Sequence, residues 1–120
     1  MMKKILYVDD ANSLRQLVEM VLGKTYALQI TENGALGLER AKAEQFDLII
    51  SDVNMPVMNG LEMLEAIRGL DNYRYTPVLM LTTEASTEMK EKGKALGATG
   101  WIIKPFDPDK LTKLVERVLG

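Results

Sequence analysis

Three carboxylates and one ammonium group follow short apolar runs at three places in the chain. Asp9 and Asp10 come directly after ILYV, Asp52 follows LIIS, and Lys104 follows WII. Clustered carboxylates repel one another unless a cation neutralises them, and Mg²⁺ prefers oxygen ligands that include one or two carboxylates. A lysine nearby can provide a point charge for a phosphoryl group. These residue types therefore predict a Mg²⁺ site with a nucleophilic carboxylate.

The apolar runs are the elements that must bring these groups together. Residues 5–8, 48–50, 78–81 and 101–103 form short unbroken apolar runs, which suit strands covered on both faces by helices. Residues 26–31 alternate apolar and polar side chains and suit an edge strand. The order of strands and helical periods predicts an α/β fold with a parallel sheet. Ligands of such sheets bind at the carboxyl ends of the strands.

Helical periods fill the intervals between the predicted strands. Residues 14–22 and 111–119 carry clean apolar stripes, and the second helix has Asp107 as a predicted N-cap with Pro108 at its first position. Residues 34–44 and 60–70 carry shorter stripes. The stretch 84–97 has a small, thinly apolar inner face. We expect that helix to be the least firmly packed and the easiest to move.

Each candidate residue also has a plain structural interpretation. Asp9 and Asp10 suit a helix N-terminus, and Lys104 suits a surface position at a strand end. Thr82, which follows the apolar run 78–81, suits a strand. Asp52 has no helix immediately after it to cap, which favours a metal site. The following segment contains Pro56 and the turn pair Asn59-Gly60, so it is predicted to be a loop that offers backbone groups to a ligand.

Composition bounds the function. The chain has 120 residues, a net charge of −2, no cysteine and no histidine. These numbers predict one domain, and they exclude thiol and histidine chemistry and argue against a basic nucleic-acid interface. The N-terminus lacks the apolar core of a signal peptide, and no run reaches membrane-spanning length. A cytoplasmic protein without membrane or nucleic-acid partners is expected.

Four segments together resemble a known family. They are VDD at 8–10, SDVNMPVMNG at 51–60, PVLMLTTEA at 77–85 and GWIIKPF at 100–106. In this order and spacing they resemble the receiver domain of two-component response regulators, and the chain is most similar to the chemotaxis regulators of the CheY type. The resemblance implies a single-domain, doubly wound (βα)5 sandwich with a flavodoxin-like strand order of 2-1-3-4-5. It covers residues 1–120 and leaves no output domain.

The resemblance implies an acceptor and a metal site. Asp52 is the expected phospho-acceptor. Asp10, Asp52 and the backbone carbonyl of Asn54 are expected to hold Mg²⁺, and Asp9 is expected to act mainly through a bound water.

The resemblance also implies a switch. Lys104 is expected to pair with a phosphoryl oxygen and to precede Pro105 through a cis bond, and Thr82 is expected to be the hydroxyl that follows the phosphoryl group. Trp101 occupies the position of the aromatic ring that turns inward on activation, where the family usually has Tyr or Phe. Thr83 is larger than the family's common residue and is expected to narrow access to Asp52.

The expected function is that of a phospho-accepting signalling protein. A histidine kinase is the expected phosphodonor, and the 84–119 face is expected to signal to a protein target such as a flagellar motor switch or a relay protein, with a possible phosphatase. The chain is expected to be a monomer whose only catalysis is its own phosphorylation and dephosphorylation. The alternatives are a Mg²⁺-dependent phosphatase or phosphotransferase enzyme, and an adaptor that is never phosphorylated.

Overall fold

A parallel five-stranded sheet forms the centre of the protein in a computed structural model, which describes residues 2–83 and 86–120. The strands are β1 Lys4–Val8, β2 Ala27–Thr31, β3 Leu48–Asp52, β4 Val78–Thr82 and β5 Gly100–Ile103. The helices are α1 Asn12–Leu22, α2 Gly34–Ala43, α3 Gly60–Arg68, α4 Thr87–Ala95 and α5 Pro108–Leu119, with a short 3₁₀ turn at Asp71–Tyr73. The strand order is β2-β1-β3-β4-β5, which confirms the predicted fold class and topology.

Alternate strand residues enter two separate cores. In β1, Leu6 and Val8 pack in the core under α2 and α3, while Ile5 and Tyr7 pack in the core that includes residues of α1 and α5. All four side chains are buried, because β1 lies inside a sheet that is covered on both faces. Across the described residues, no helix is both long and apolar enough to cross a membrane.

Strand register aligns the ends that carry the candidate groups. Val8 pairs with Ser51, so the residues that follow them, Asp9 and Asp52, stand side by side. On the other side of β3, Asp52 pairs with Leu81, directly before Thr82. The pairing of Thr82 with Ile103 then brings Lys104 to the same edge of the sheet. Four strands thus deliver their polar residues to one place.

The segment 71–77 looks like a polar connection in the sequence but contains a core residue. Tyr73 is fully buried, and its hydroxyl donates to the Glu44 carbonyl at 2.5 Å and accepts from the Phe46 N–H at 3.1 Å. The Arg68 guanidinium binds the carbonyls of Tyr73 and Gly97, so it ties this segment to the turn after α4. These bonds satisfy carbonyls that no strand or helix ladder reaches.

Helix α4 is shorter than the predicted 84–97. It spans Thr87–Ala95, with the Ser86 side chain accepting a hydrogen bond from the Met89 N–H. Residues 84 and 85 lie outside the part that the structure describes. Within α4 only Gly93 is buried, which agrees with the expectation of a thinly packed helix. The predicted cap of α5 is present, because Asp107 accepts from the Asp109 N–H and Pro108 is the first helical residue.

The loop between β3 and α3 contains a strained residue. Val57 has a φ of 70° and its side chain is 82% exposed. The Met58 N–H donates to the Pro56 carbonyl at 2.8 Å, which closes a tight three-residue turn around Val57. A β-branched residue is unfavourable in this left-handed region. The strain lies five residues after Asp52.

Replacing Val57 by asparagine should stabilise the fold. Val57→Asn is expected to raise the free energy of unfolding by about 1 kcal/mol, because asparagine tolerates a positive φ and the exposed valine loses little packing. Urea denaturation measures the change. Val57→Thr is the matched control, since threonine is also polar but keeps the β-branch, and it should show no such gain. A less stable Val57→Asn variant would contradict the strain assignment.

Candidate functional site

The carboxylates of Asp9, Asp10 and Asp52 meet at the carboxyl edge of the sheet. Each offers an oxygen within 4.8 Å of the other two. Asp9 is 0% and Asp52 5% exposed, while Asp10 faces solvent. The sequence-predicted acidic residues are therefore brought together, with one of them open to solvent.

Lys104 is the cation of this cluster within the described part of the chain. Its Nζ lies 3.1 Å from Asp52 Oδ2 and 3.5 Å from Asp9 Oδ2. The backbone N–H of Lys104 donates to the Thr82 carbonyl at 2.9 Å, and the Lys104–Pro105 peptide bond is cis. The lysine side chain is only 13% exposed, so it lies in the cluster and is not a free surface charge.

The Asp9 carboxylate is fixed by two further donors. Its Oδ1 accepts from the Ala11 N–H at 3.0 Å, and its Oδ2 accepts from the Tyr7 hydroxyl at 2.5 Å. The N-cap of α1 is Ala11, so neither aspartate is the cap residue of that helix. Tyr7 was missed as a site residue from sequence. The available signal was its position two residues before Asp9 on a strand, which places both side chains on one face.

Burial and the neighbouring carboxylates raise the pKa values of two groups in the cluster, Asp52 and Tyr7. Burial raises the pKa of the Asp52 carboxyl above its usual value; the nearby charges of Asp9 and Asp10 add to the shift and Lys104 opposes it. Burial, followed by the hydrogen bond to Asp9, also raises the pKa of the Tyr7 phenol far above its usual value. Tyr7 therefore remains a hydroxyl donor at neutral pH.

The cluster fits a hard divalent cation. Among the described residues, three carboxylates face one ammonium group, which leaves negative charge uncompensated in a largely buried site. Carboxylate oxygens without sulfur or imidazole are the donor set that Mg²⁺ prefers. Asn54 is exposed and lies in the loop directly after Asp52, where a backbone carbonyl can complete an oxygen donor set.

The loop after Asp52 is held close to the strand end. The Gly60 N–H donates to the Val53 carbonyl at 2.9 Å, and the Met58 carbonyl accepts from the Gly34 N–H at 3.1 Å. A Cβ at Gly60 would overlap the Asp52 carbonyl, so glycine is required for this approach. Asn59 then caps α3 in a reciprocal capping box with Glu62.

Thr82 and Trp101 lie on the neighbouring strands β4 and β5. Thr82 is the buried last residue of β4, and Thr83 beyond it is exposed. Trp101 on β5 is half-buried and packs against α4, where a Cβ at Gly93 would overlap its indole ring. Gly93 was not recognised from sequence as the partner of this ring, because only the fold brings α4 over β5.

Comparisons with known proteins agree with this arrangement. The family profile described as "Response regulator receiver domain" matches residues 5–116. The chemotaxis protein CheY of Pseudomonas aeruginosa is 33% identical over 98% of this chain and 99% of its own length. The crystal structure of chemotaxis protein CheY4 of Vibrio cholerae superposes with a TM-score of 0.95 at 50% identity, covering 98% of this chain and 99% of that one.

One matched structure contains a metal ion. It is the receiver domain of the sensor histidine kinase PA1611 of Pseudomonas aeruginosa, which has a magnesium ion coordinated in its active-site cleft. Its TM-score is 0.91 at 26% identity, with 100% of this chain and 99% of that chain covered. Other matched relatives are longer, and the chain spans 55% and 53% of the length of two of them.

Removing the charge of Asp52 should stabilise the metal-free protein. Because the folded-state pKa is raised, the stability that comes from protonated Asp52 is complete at low pH and is lost as pH rises through that pKa. Asp52→Asn is therefore expected to raise the free energy of unfolding at neutral pH by about 1 kcal/mol and to have little effect in acid. Urea denaturation in a chelator at several pH values measures this.

Asp71→Asn is the control for this experiment, because the Asp71 side chain is 97% exposed and lies outside the cluster. It should leave the stability unchanged at every pH. A neutral-pH loss of stability in Asp52→Asn would show that the ion pair with Lys104 outweighs the burial of charge.

Proposed function

The chain belongs to the response regulator receiver domain family, whose members are signalling proteins rather than conventional enzymes, and we propose that it is a response regulator that accepts a phosphoryl group on Asp52. The observation that carries the proposal is the nearly buried Asp52 carboxylate, held 3.1 Å from Lys104 inside the acidic cluster. Receiver domains take phosphoryl groups from histidine kinases, so a kinase phosphohistidine is the proposed donor.

The proposed transfer uses the geometry around Asp52. A carboxylate oxygen of Asp52 forms the P–O bond while the P–N bond of the donor phosphohistidine breaks and the imidazole leaves. Phosphoryl transfer depends mainly on positioning and on neutralising charge. The ion pair of Lys104 with Asp52 supports its proposed roles, which are to bind a phosphoryl oxygen and to favour the ionised carboxylate that the reaction needs.

Magnesium is the proposed cofactor. Asp10, Asp52 and the Asn54 carbonyl are the groups that we propose to hold Mg²⁺, with Asp9 acting through water. When bound, the ion supplies charge neutralisation for the carboxylates and the phosphoryl oxygens. The uncompensated charge of the cluster and its oxygen donors support this assignment.

The proposed switch begins with the added charge. Phosphorylation replaces about one negative charge on Asp52 by about two and adds acceptor oxygens. We propose that the Thr82 hydroxyl donates to one of them and that Trp101 moves in response. The position of Thr82 beside Asp52 in the sheet, and the close packing of Trp101 on α4, support a connection between the site and that helix.

The proposed output surface is the 84–119 face, of which the structure describes 86–119. It contains a cleft of about 420 Å³ that is lined mostly by apolar side chains of β5, of α5 and of the segment between them, including Ile103 and Phe106, with Asp107 and Lys110 among them. An apolar segment of a partner protein suits this surface. The names of the chemotaxis relatives make a motility target, such as a flagellar motor switch, the first one to test, and a relay protein the second.

Small-molecule phosphorylation tests the proposed function. Acetyl phosphate with Mg²⁺ should add one phosphoryl group to the parent protein, as read by intact mass, and none to Asp52→Asn. Asp71→Asn is the matched control and should be modified like the parent.

Two other results would select the alternatives. An unchanged mass in the parent, with Mg²⁺ binding shown independently, would favour an adaptor that is never phosphorylated. Sustained turnover of a soluble phosphate ester by the protein alone would favour a phosphatase.

The pairing of Gly93 with Trp101 gives a test of the switch element. Gly93→Ala should displace the indole ring and shift the Trp101 emission to longer wavelength, because the added methyl group occupies the space of the ring. Trp101 is the chain's one tryptophan, so steady-state fluorescence reports it directly.

Ala95→Gly is the control, since Ala95 is exposed and this change alters helix propensity at the same helix by about 1 kcal/mol. It should leave the emission unchanged. Unaltered emission in Gly93→Ala would mean that α4 moves instead of the ring.

A further inference from the structure

The hydroxyl of Tyr7 contacts the acidic cluster from the buried side. Tyr7 is fully buried in the core that includes α1 and α5 residues, and its hydroxyl donates to Asp9 Oδ2 at 2.5 Å. Asp9 Oδ1 is bound by the Ala11 N–H at 3.0 Å. Both carboxylate oxygens of Asp9 thus accept hydrogen bonds from protein donors. The nearby positive charge of Lys104 is shared with Asp52.

Asp10 and Asp52 are held differently. Among the described residues, no hydrogen bond or ion pair reaches the Asp10 side chain, and Asp52 shares Lys104 with Asp9. Lys104 lies nearer to Asp52 Oδ2, at 3.1 Å, than to Asp9 Oδ2, at 3.5 Å. The hydrogen bond from Tyr7 to Asp9 Oδ2 agrees with this difference in distance, because a carboxylate oxygen that already accepts a hydrogen bond attracts the ammonium group less strongly.

We propose that the Tyr7 hydroxyl, by donating a hydrogen bond to Asp9, partly offsets the negative charge of that carboxylate in the metal-free protein. This hydrogen bond thereby lowers the affinity of the cluster for Mg²⁺. The inference rests on the proposed function, because it concerns the same metal site. It makes Tyr7 a positioning residue that acts through Asp9 and touches neither the ion nor the phosphoryl group.

The physical basis is the charge on one oxygen atom. A hydrogen-bond donor withdraws negative charge from a carboxylate, so the carboxylate attracts a cation less strongly. Without the hydroxyl, Asp9 remains buried with one donor fewer, which is costly in the metal-free state. A bound divalent cation covers part of that cost. The hydroxyl therefore stabilises the metal-free protein more than the metal-bound protein, and its removal must tighten Mg²⁺ binding.

A purely structural tyrosine gives a different result. If the hydroxyl only completes the hydrogen bonding of the core, its loss destabilises the metal-free and metal-bound states equally, and the Mg²⁺ affinity does not change. Tyr73 provides this comparison within the same chain. It is also fully buried, and its hydroxyl binds the Glu44 carbonyl and the Phe46 N–H, at the opposite end of β3 from Asp52.

The experiment compares Tyr7→Phe with Tyr73→Phe, because both keep the ring and remove one buried hydroxyl. Urea denaturation is measured in a chelator and in saturating Mg²⁺, and the Mg²⁺ dissociation constant is measured by calorimetry. Tyr7→Phe should lower the dissociation constant by about threefold to tenfold and lose more stability without Mg²⁺ than with it. Tyr73→Phe should lose the same stability in both conditions, with an unchanged dissociation constant.

A measurement on the parent protein covers the case in which Tyr7→Phe does not fold. The Tyr7 hydroxyl proton is buried, and its NMR resonance should move when Mg²⁺ binds, toward the position of a weaker hydrogen bond. The Tyr73 hydroxyl proton should not move. An unmoved Tyr7 proton at saturating Mg²⁺ overturns the proposal.

The remaining outcomes separate the two levels of inference. If the parent binds Mg²⁺ and Tyr7→Phe has an equal or weaker affinity, the role of Tyr7 is overturned while the metal site stands. Mg²⁺ at ten times its dissociation constant is expected to stabilise the parent protein by about 1.4 kcal/mol. If no Mg²⁺ concentration stabilises the parent, both the metal site and the role of Tyr7 are overturned.

Discussion

Two carboxylates, Asp9 and Asp52, are almost removed from water at the end of the sheet, where both lie close to the Lys104 ammonium group. Burying unpaired charge is costly, so three separate segments of the chain supply a donor or a cation to this place. Tyr7 and the Ala11 N–H bind Asp9, and Lys104 is shared. The charge that remains is the reason why the cluster suits a divalent ion and a phosphoryl group.

The sheet is what makes this crowding possible. Parallel strands end at the same edge, and their register is set by side chains that are buried on both faces and cannot shift by one residue without exchanging cores. Val8 with Ser51 and Thr82 with Ile103 therefore determine where Asp9 and Lys104 stand. Gly60, pressed against the Asp52 carbonyl, lets the following loop stay beside the acceptor.

Firm packing is unevenly distributed around this edge. The central strands are fully buried, whereas α4 buries only Gly93, which lies against the Trp101 ring, and packs the partly buried Met89 against the core. A change of charge at Asp52 therefore meets a rigid sheet on one side and a lightly held helix on the other. Local motion is expected where few apolar contacts oppose it. This asymmetry gives the proposed signal a direction, from the acidic cluster toward α4, β5 and α5.

Local sequence patterns were sufficient for the elements and for the acidic residues. Apolar runs, helical stripes and the Asp107-Pro108 cap are properties of neighbouring residues. The sequence therefore predicts the α/β class and the groups at the strand ends. The strand order 2-1-3-4-5 and the residue roles came from resemblance to a family, and the roles remain proposals.

Tertiary structure alone decided the contacts between distant segments. The core position of Tyr73, the Arg68 bonds to Gly97, the fit of Trp101 on Gly93 and the strained turn at Val57 carry no local signal strong enough to predict. The Tyr7 hydroxyl is the clearest case. A tyrosine in a buried strand is ordinary in sequence, and it becomes part of the acidic cluster only because the folded sheet buries Asp9 beside it, where the carboxylate must find a donor.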